Sequence, residues 1–252
     1  MINFAAQSSN DMKHFGIIGY PLHHSFSAQL FQQKFALEDI DAEYSLYPLE
    51  HIEQFPELTE RISFSGMNVT MPYKQSVIPY LDALDETAQA VGAVNVIRFS
   101  QGRKIGYNTD VIGFMDAIRK LLLPSDVRAL VLGTGGASKA VVFGLSRLGI
   151  ETTLVSRDPA KGLTYQALSE KIMRQHSIII NATPLGMTPH IDTLPPIPYE
   201  QLTQAHLLFD LVYNPEETRF LAEGYQRGCR IENGMQMLFG QARAAWDIWQ
   251  KE

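Results

Sequence analysis

The chain has one cysteine, Cys229, among 252 residues. A single thiol closes no intrachain disulfide and builds no cysteine-based zinc site, so disulfide scaffolds and zinc fingers are excluded and an intracellular protein is expected. Basic residues are also scarce: 21 Lys and Arg stand against 27 Asp and Glu, a formal charge of −6. A nucleic-acid binder normally carries a basic face or stripe, so no nucleic-acid partner is expected. No apolar run reaches the roughly 18–20 residues that a membrane helix needs. Met1–Asp11 has neither the basic start nor the apolar stretch of a secretory signal, which points to a cytoplasmic protein with no membrane partner. Repeats, low-complexity tracts and long charge blocks are missing too, which removes solenoids and solvated tails. What is present is ordinary: 45% hydrophobic and 19% charged residues place the chain among globular proteins. Its length suits one large or two modest domains with a substantial core.

Short apolar runs alternate with segments of helical period. Phe15–Gly19, Ala42–Tyr47 and Ser65–Thr70 read as strands, Ser27–Leu37 as a helix, and Pro72 stands where another helix can begin. Val94–Phe99 and Arg103–Tyr107 flank a Ser100–Gly102 hairpin signal. A helix follows over Asn108–Leu123, capped by Asn108 or Thr109 and ended by Pro124. From Ala129 the pattern becomes strand–helix–strand: strands at Ala129–Leu132, Thr152–Ser156, Ser177–Asn181 and Leu207–Leu211, with a helix over Gly136–Leu148. Such alternation predicts a parallel sheet with helices on its faces, hence an α/β fold. Asn233–Gln250 reads as a final helix. The expected division is one α/β domain over 1–112, a second over 113–232, and a last helix, 233–252, returning to the first.

Gly133-Thr-Gly-Gly-Ala-Ser138 follows a strand and opens a helix. Gly133 and Gly135 leave room for a tight turn and for a pyrophosphate against the backbone, while the helix start, at Gly136 and Ala137, offers free N–H groups to the anion. Ser138 stands where the generic pattern has its third glycine, so the motif by itself equally describes a tight strand–helix turn; the strand–loop–helix context favours a nucleotide. Beyond the next strand come Ser156 and Arg157, with no acid at the strand end. A planar guanidinium suits a 2′-phosphate, which favours NADP over NAD, although Asp158 can neutralise Arg157 or take the ribose itself. A solvated surface arginine is the plainer alternative.

The first half carries the other polar groups. Ser25 and Ser27 lie just beyond a strand end, where hydroxyls bind a carboxylate or cap a helix; spacing alone favours capping. Asn68, Thr70 and Lys74 share a strand-to-helix segment, and Asp110 sits at another strand–helix junction. A lysine and a carboxylate that converge form a proton-transfer pair, but sequence spacing does not bring them together. His23 and His24 lack the companion ligands of a metal site, and no metal is expected.

Together these segments resemble the shikimate dehydrogenase family. The resemblance is carried in order by Gly19-Tyr-Pro-Leu-His-His-Ser-Phe-Ser27, Asn68-Val-Thr-Met-Pro-Tyr-Lys74, Ala93-Val-Asn95 and Gly106-Tyr-Asn-Thr-Asp110. It continues through the glycine loop, Asn181-Ala-Thr-Pro-Leu-Gly-Met187, Asp210-Leu-Val-Tyr-Asn-Pro215 and Asn233-Gly-Met-Gln-Met-Leu-Phe-Gly-Gln241. It implies a two-domain α/β protein, with an N-terminal substrate domain, a Rossmann-like NADP-binding domain and a C-terminal helix returning to the first. The implied reaction is the NADPH-linked reduction of 3-dehydroshikimate to shikimate. Lys74 and Asp110 would be the catalytic pair. Ser25 and Ser27 would hold the substrate carboxylate, and Asn68, Thr70, Asn95 and Gln241 would meet the ring hydroxyls or support the pair. The glycine loop would take the pyrophosphate, Ser156 and Arg157 the 2′-phosphate. Thr183, Met187, Tyr213, Gly234 and Met237 would line the nicotinamide. His23, Ala28 and Asp158 depart from the family pattern, and the crossover after Arg157 is short.

Two rivals accompany this reading. One is a quinate/shikimate dehydrogenase using NAD. The other is a non-catalytic relative that senses shikimate or quinate; such a protein would be expected to lose Lys74, Asp110 or the glycine loop, and this chain has all three. A monomer and a homodimer are both compatible with the sequence.

Overall fold

The structure, a computed structural model, describes residues 12–22 and 25–251. His23 and His24 therefore lie outside the described residues. The chain divides into two compact units, Met1–Leu84 with Val94–Tyr107, and Asp85–Ala93 with Asn108–Glu252.

The first unit holds strand β1 (Lys13–Gly19), helix α1 (Phe26–Leu37), β2 (Ala42–Pro48), α2 (Phe55–Arg61), β3 (Phe64–Val69) and β4 (Ala83–Leu84). The short helix α3 (Glu86–Val91), which belongs to the second unit, separates these from β5 (Val96–Ser100) and β6 (Arg103–Tyr107). The sheet runs β2-β1-β3-β5-β6-β4. Its β2-β1-β3 half is parallel, and β5 and β6 join antiparallel. In α1 the residues that go inward are Phe31 and Phe35, one turn apart, with Ala28 a turn earlier. Phe31 stacks on Tyr44 of β2 and Phe35 meets Phe15 of β1, with ring centroids 5.1 and 5.6 Å apart. Gln101 and Gly102, at φ 52° and 72°, give the expected hairpin its two left-handed turn residues. No α-helix begins at Pro72: turns follow it, then a single 3₁₀ turn at Ile78–Tyr80.

The second unit contains α4 (Asp110–Arg119), β7 (Arg128–Leu132), α5 (Gly136–Arg147), β8 (Glu151–Val155), α6 (Glu170–Gln175) and β9 (Ile178–Asn181). It continues with β10 (Leu207–Asp210), α7 (Arg219–Gln226), β11 (Arg230–Glu232) and α8 (Met235–Trp249). Its sheet, β11-β10-β9-β7-β8, is parallel throughout. The inner strands β7, β9 and β10 are largely apolar because both of their faces are covered, whereas the edge strands β8 and β11 carry polar residues that are half-buried or exposed. Alternate residues feed opposite cores. Ala129, Val131, Ile178, Ile180, Leu207 and Phe209 pack with Phe114, Val141 and Leu145 on one face. Leu130, Leu132, Ile179 and Leu208 pack with Met173, Phe220 and Leu221 on the other. Chain order reverses between β7 and β9, the place in an open α/β sheet where ligands bind beyond the carboxyl ends.

Helix α8, expected to return to the first domain, packs along α4, and both helices lie in the second unit. Glycines permit the close approach. A Cβ on Gly113 would stand 2.3 Å from the Met237 carbonyl oxygen, and one on Gly240 would stand 2.9 Å from the Gly113 Cα. The obstacle is backbone, so the helices would have to separate. Alanine in a helix interior normally gains up to about 1 kcal/mol over glycine. At Gly113 we expect the opposite sign, a loss of about 1–3 kcal/mol from overpacking. Urea unfolding of Gly113→Ala checks this, and an unchanged or raised midpoint would show that the crossing can yield.

Candidate active site

In the first unit the polar residues gather at the carboxyl ends of β1 and β3. Thr70 donates its N–H to the Ile18 carbonyl, and Tyr20 donates to Met71, so the loops leaving both strands run side by side. Gly19 makes this possible, since a Cβ there would lie 2.4 Å from Thr70 Cγ2. Asn68 and Asn95 are buried beside one another: Asn68 Nδ2 donates to the Asn95 carbonyl at 3.3 Å, and that carbonyl also accepts from Val69 N–H at 2.8 Å. Ser25 occupies the N-cap position of α1, yet its hydroxyl makes no capping bond, which removes the plainer of its two readings. Ser27 is buried one residue inside the helix.

Lys74 sits in the turn after β3, in the first unit; Asp110 is the buried first residue of α4, in the second. Neighbouring groups hold the lysine's turn. Tyr73 N–H and Val77 N–H close successive turns, the buried Tyr73 hydroxyl donates to the Leu49 carbonyl, and the Lys74 carbonyl accepts Val94 N–H at 2.7 Å. The expected caps of α4 are not made. Thr109 is the N-cap residue but its side chain does not cap, and Asn108 Nδ2 reaches instead to the Ala93 carbonyl at 2.8 Å. The acid at the first helical position needs no cap to belong there, because its charge complements the positive end of the helix.

The glycine loop has the form a pyrophosphate requires. Gly133 has φ +106°, and a Cβ there would crowd the Ala182 carbonyl oxygen and Thr183 Cγ2 at 3.1 Å. A Cβ on Gly135 would meet nothing within 4 Å, so this side of the loop is open. Ser138, in the place of a third glycine, turns inward and donates to the Gly133 carbonyl at 2.7 Å, tying helix to loop. The third glycine's packing role passes to Gly144, where a Cβ would lie 2.9 Å from Phe114. At the end of β8, Ser156 is buried and Arg157 exposed. Asp158 turns into its own loop: it accepts from Ala160 N–H at 3.0 Å and pairs with Lys161 at 3.5 Å. Among the described residues Arg157 makes no ion pair. The residues present fit an NADP adenosine end, with an open cradle, a hydroxyl and an unneutralised guanidinium.

The remaining cofactor candidates hang on one buried network. Asn181, which ends β9, accepts from Thr183 N–H and hydroxyl at 3.1 and 2.6 Å and donates to Asp210 at 2.9 Å. Asp210, which ends β10, also accepts from Val212 N–H at 2.9 Å and the Thr218 hydroxyl at 2.6 Å. Val212 receives Gly234 N–H, and Gly234 has no room for a side chain because a Cβ would lie 2.2 Å from the Leu211 carbonyl oxygen. Thr183, Tyr213 and Gly234 are thus held in loops pinned to the same strand ends. Met187 is exposed, whereas the Met237 side chain is buried in the apolar core with Phe114 and Phe209. Gln241 is buried on α8 and donates to the Leu238 carbonyl at 3.0 Å. A cavity of about 660 Å³ lined by Arg128, Glu151, Thr152, Thr153, Gln175 and His176 lies at the other end of the sheet, away from all these groups. Among the described residues no three His, Cys, Asp or Glu are grouped to hold a metal, and no helix is long and apolar enough to cross a membrane.

A family profile described as the shikimate dehydrogenase substrate binding domain matches residues 17–97. The NADP(+) shikimate dehydrogenase of Caldanaerobacter subterraneus subsp. tengcongensis is 36% identical, over 95% of this chain and 92% of its own. The chain belongs to the shikimate dehydrogenase family. Among solved structures, the shikimate 5-dehydrogenase of Thermus thermophilus, in complex with NADP(H) and shikimate, is 31% identical with a TM-score of 0.85, covering 95% of this chain and 94% of that one. The quinate dehydrogenase of Corynebacterium glutamicum, in complex with NAD, is 26% identical with a TM-score of 0.85, covering 96% and 94%. The two-domain α/β fold with a Rossmann-like parallel sheet is that of the family.

Within this shikimate dehydrogenase family member, two buried groups escaped the sequence reading. Asp210 stood inside a quoted motif but had no assigned part, because only the fold shows that its carboxylate is fully enclosed and faces Asn181 and Thr218. Burial pushes its carboxyl up to about 7, against the opposing pull of its hydrogen bonds. Tyr44 gave no signal at all. It reads as one aromatic of a strand, and only the pairing of β2 with β1 and β1 with β3 places its hydroxyl at Asn68.

Proposed function

We propose that the protein is a shikimate dehydrogenase, an oxidoreductase acting on a CH–OH group that interconverts 3-dehydroshikimate and shikimate with NADP, in the synthesis of chorismate and the aromatic amino acids. The observation that carries the reading is that this family member keeps Lys74 and Asp110 together with an open glycine cradle. A sensing relative would need none of the three. Residues 1–112 with 233–252 form the substrate half in this reading, and 113–232 the NADP half. We place the protein in the cytoplasm as a monomer or homodimer.

Bound NADPH would supply the hydride that reduces the ketone carbon. As negative charge grows on the carbonyl oxygen, the Lys74 ammonium stabilises it and delivers the proton that completes the hydroxyl. Asp110 would be the carboxylate partner that keeps the lysine oriented. Ser25 and Ser27 hold the substrate carboxylate, using hydroxyls of which the first is not spent on capping. Asn68, Thr70, Asn95 and Gln241 pair with ring hydroxyls or support the pair, and buried polar groups of this kind reject analogues that leave them unpaired. The glycine loop with Gly136 and Ala137 at the α5 start takes the pyrophosphate, Ser156 and Arg157 the 2′-phosphate. Thr183, Met187, Tyr213, Gly234 and Met237 would line the nicotinamide region, some of them through backbone atoms.

The NAD-linked quinate reading has a solved neighbour in its favour. Against it stand the exposed Arg157 and an Asp158 occupied by Ala160 and Lys161. Following reduced-nicotinamide absorbance with shikimate or quinate and with NADP or NAD separates the two. Turnover should be fast with shikimate and NADP only; comparable turnover with NAD or quinate would overturn the assignment. Arg157→Ala should raise KM for NADP about 10- to 100-fold, as loss of charge-assisted hydrogen bonds to a phosphate implies, and leave KM for NAD nearly unchanged. Equal changes for both cofactors would remove Arg157 from the phosphate site.

A further inference from the structure

Amide groups are two-faced: the same side chain offers an acceptor or two donors depending on which way it is turned. Asn68 has its turn decided by two neighbours. The Tyr44 hydroxyl donates to Asn68 Oδ1 at 2.7 Å, and Asn68 Nδ2 donates to the Asn95 carbonyl at 3.3 Å. Reversing the amide would set its oxygen against the Asn95 carbonyl oxygen, two acceptors with no proton between them. The Asn68 side chain makes no other hydrogen bond among the described residues, so its second N–H is uncommitted. Tyr44 is itself immobile. Its ring is 2% exposed and stacked on Phe31 with an interplanar angle of 12°. Burial also raises its phenol well above the usual tyrosine range, so the hydroxyl keeps its proton; a reversed amide could donate to the hydroxyl oxygen, but the buried O–H would then have no acceptor among the described residues.

We infer that Tyr44 is a positioning residue that fixes the Asn68 amide with an N–H toward the substrate, so that this position recognises a hydrogen-bond acceptor on the ligand. The inference rests on the proposed function, in which Asn68 meets a ring hydroxyl: that hydroxyl must offer its oxygen to Asn68 and spend its proton elsewhere. Without the Tyr44 hydroxyl, only the longer bond to Asn95 opposes reversal. A reversed amide presents oxygen and must itself be satisfied by the ligand's proton.

A double-mutant cycle on the full-length enzyme tests this, with KM for shikimate, KM for NADP, kcat and the unfolding midpoint measured in each variant. Tyr44→Phe keeps the stacked ring. It should raise KM for shikimate roughly five- to ten-fold, the loss of one neutral hydrogen bond, with kcat changed less than about three-fold and KM for NADP unmoved. In an Asn68→Ala background the same Tyr44→Phe change should have no further effect on KM for shikimate, because the group it positions is gone. Effects that multiply in the double variant, or a Tyr44→Phe loss spread over both KM values and the unfolding midpoint, would make Tyr44 merely structural and overturn the inference. A folded wild type that neither turns over nor binds shikimate overturns the functional reading as well. Normal wild-type turnover with multiplying variants overturns this inference alone.

Discussion

Replacing Lys74 with alanine is expected to lower kcat for shikimate oxidation by about 10³–10⁴-fold, the combined loss of a proton donor and of the cation that stabilises charge on the reacting oxygen. The fold should not notice. The turn that carries Lys74 is held by main-chain bonds, by the Tyr73 hydroxyl on the Leu49 carbonyl and by the buried Val77, none of which uses the lysine side chain. Far-ultraviolet circular dichroism and the unfolding midpoint should therefore match the wild type, and shikimate should still bind. Asp110→Asn should also cost activity heavily, and the double variant should be little worse than Lys74→Ala, since groups that act as a unit are not additive. Residual turnover within ten-fold of wild type in Lys74→Ala would remove the lysine from the chemistry. Effects of the two substitutions that simply multiplied would separate Asp110 from it.

The sequence made the Rossmann-like sheet easy to read, because each buried parallel strand is a short continuous apolar run closed by a turn signal: Ala129–Leu132 before Gly133, Ser177–Asn181 before the Thr183 loop. The glycine loop was legible for the same reason, since its glycines stand where the backbone needs them. Elements with short or mixed sequences were not. Helices α2, α3 and α7 run only six to eight residues, and β11 has three residues that are all half-buried, so neither period nor hydrophobic run announces them. Pro72 misled because the proline that suits a first helical turn also suits a plain turn. At the site, residue type suggested Ser25, Lys74 and Asp110 but could not separate capping from binding for the serine. That took the observation that its hydroxyl makes no cap. The supporting groups were invisible for a more general reason. What Tyr44 and Asp210 do depends on which strands lie side by side, and pairing between distant segments leaves no local pattern.

Asp210→Asn should change the pH dependence of stability more than any other single substitution in the second unit. The carboxyl is fully buried, no ion pair reaches it among the described residues, and burial lifts it from an ordinary 3.8 to about 7. The folded state thus favours the neutral acid, and the unfolded chain gives up the proton far more readily. As pH rises from near 4 the unfolded state loses its proton while the folded state keeps it, so stability falls. The loss is complete once pH passes about 7, where both states are ionised, and totals about 4 kcal/mol. Asparagine has the shape of the neutral acid and does not titrate. Its oxygen can still accept from Val212 and Asn181, and its NH₂ can donate to the Thr218 hydroxyl, which has a lone pair to receive it. Urea unfolding of both proteins across a pH series should show the variant gaining on the wild type by about 3 kcal/mol between pH 4.5 and 7, then holding level. A difference that stays constant with pH would mean that Asp210 is ionised throughout, its three hydrogen bonds outweighing its burial. The loops that carry Thr183 and Gly234 are pinned through this one carboxyl, so KM for NADP in wild type should rise only as pH passes through about 7, where the folded carboxyl itself ionises, and the variant's should not. That second profile separates a group that only stabilises the sheet ends from one that also holds the nicotinamide loops in place.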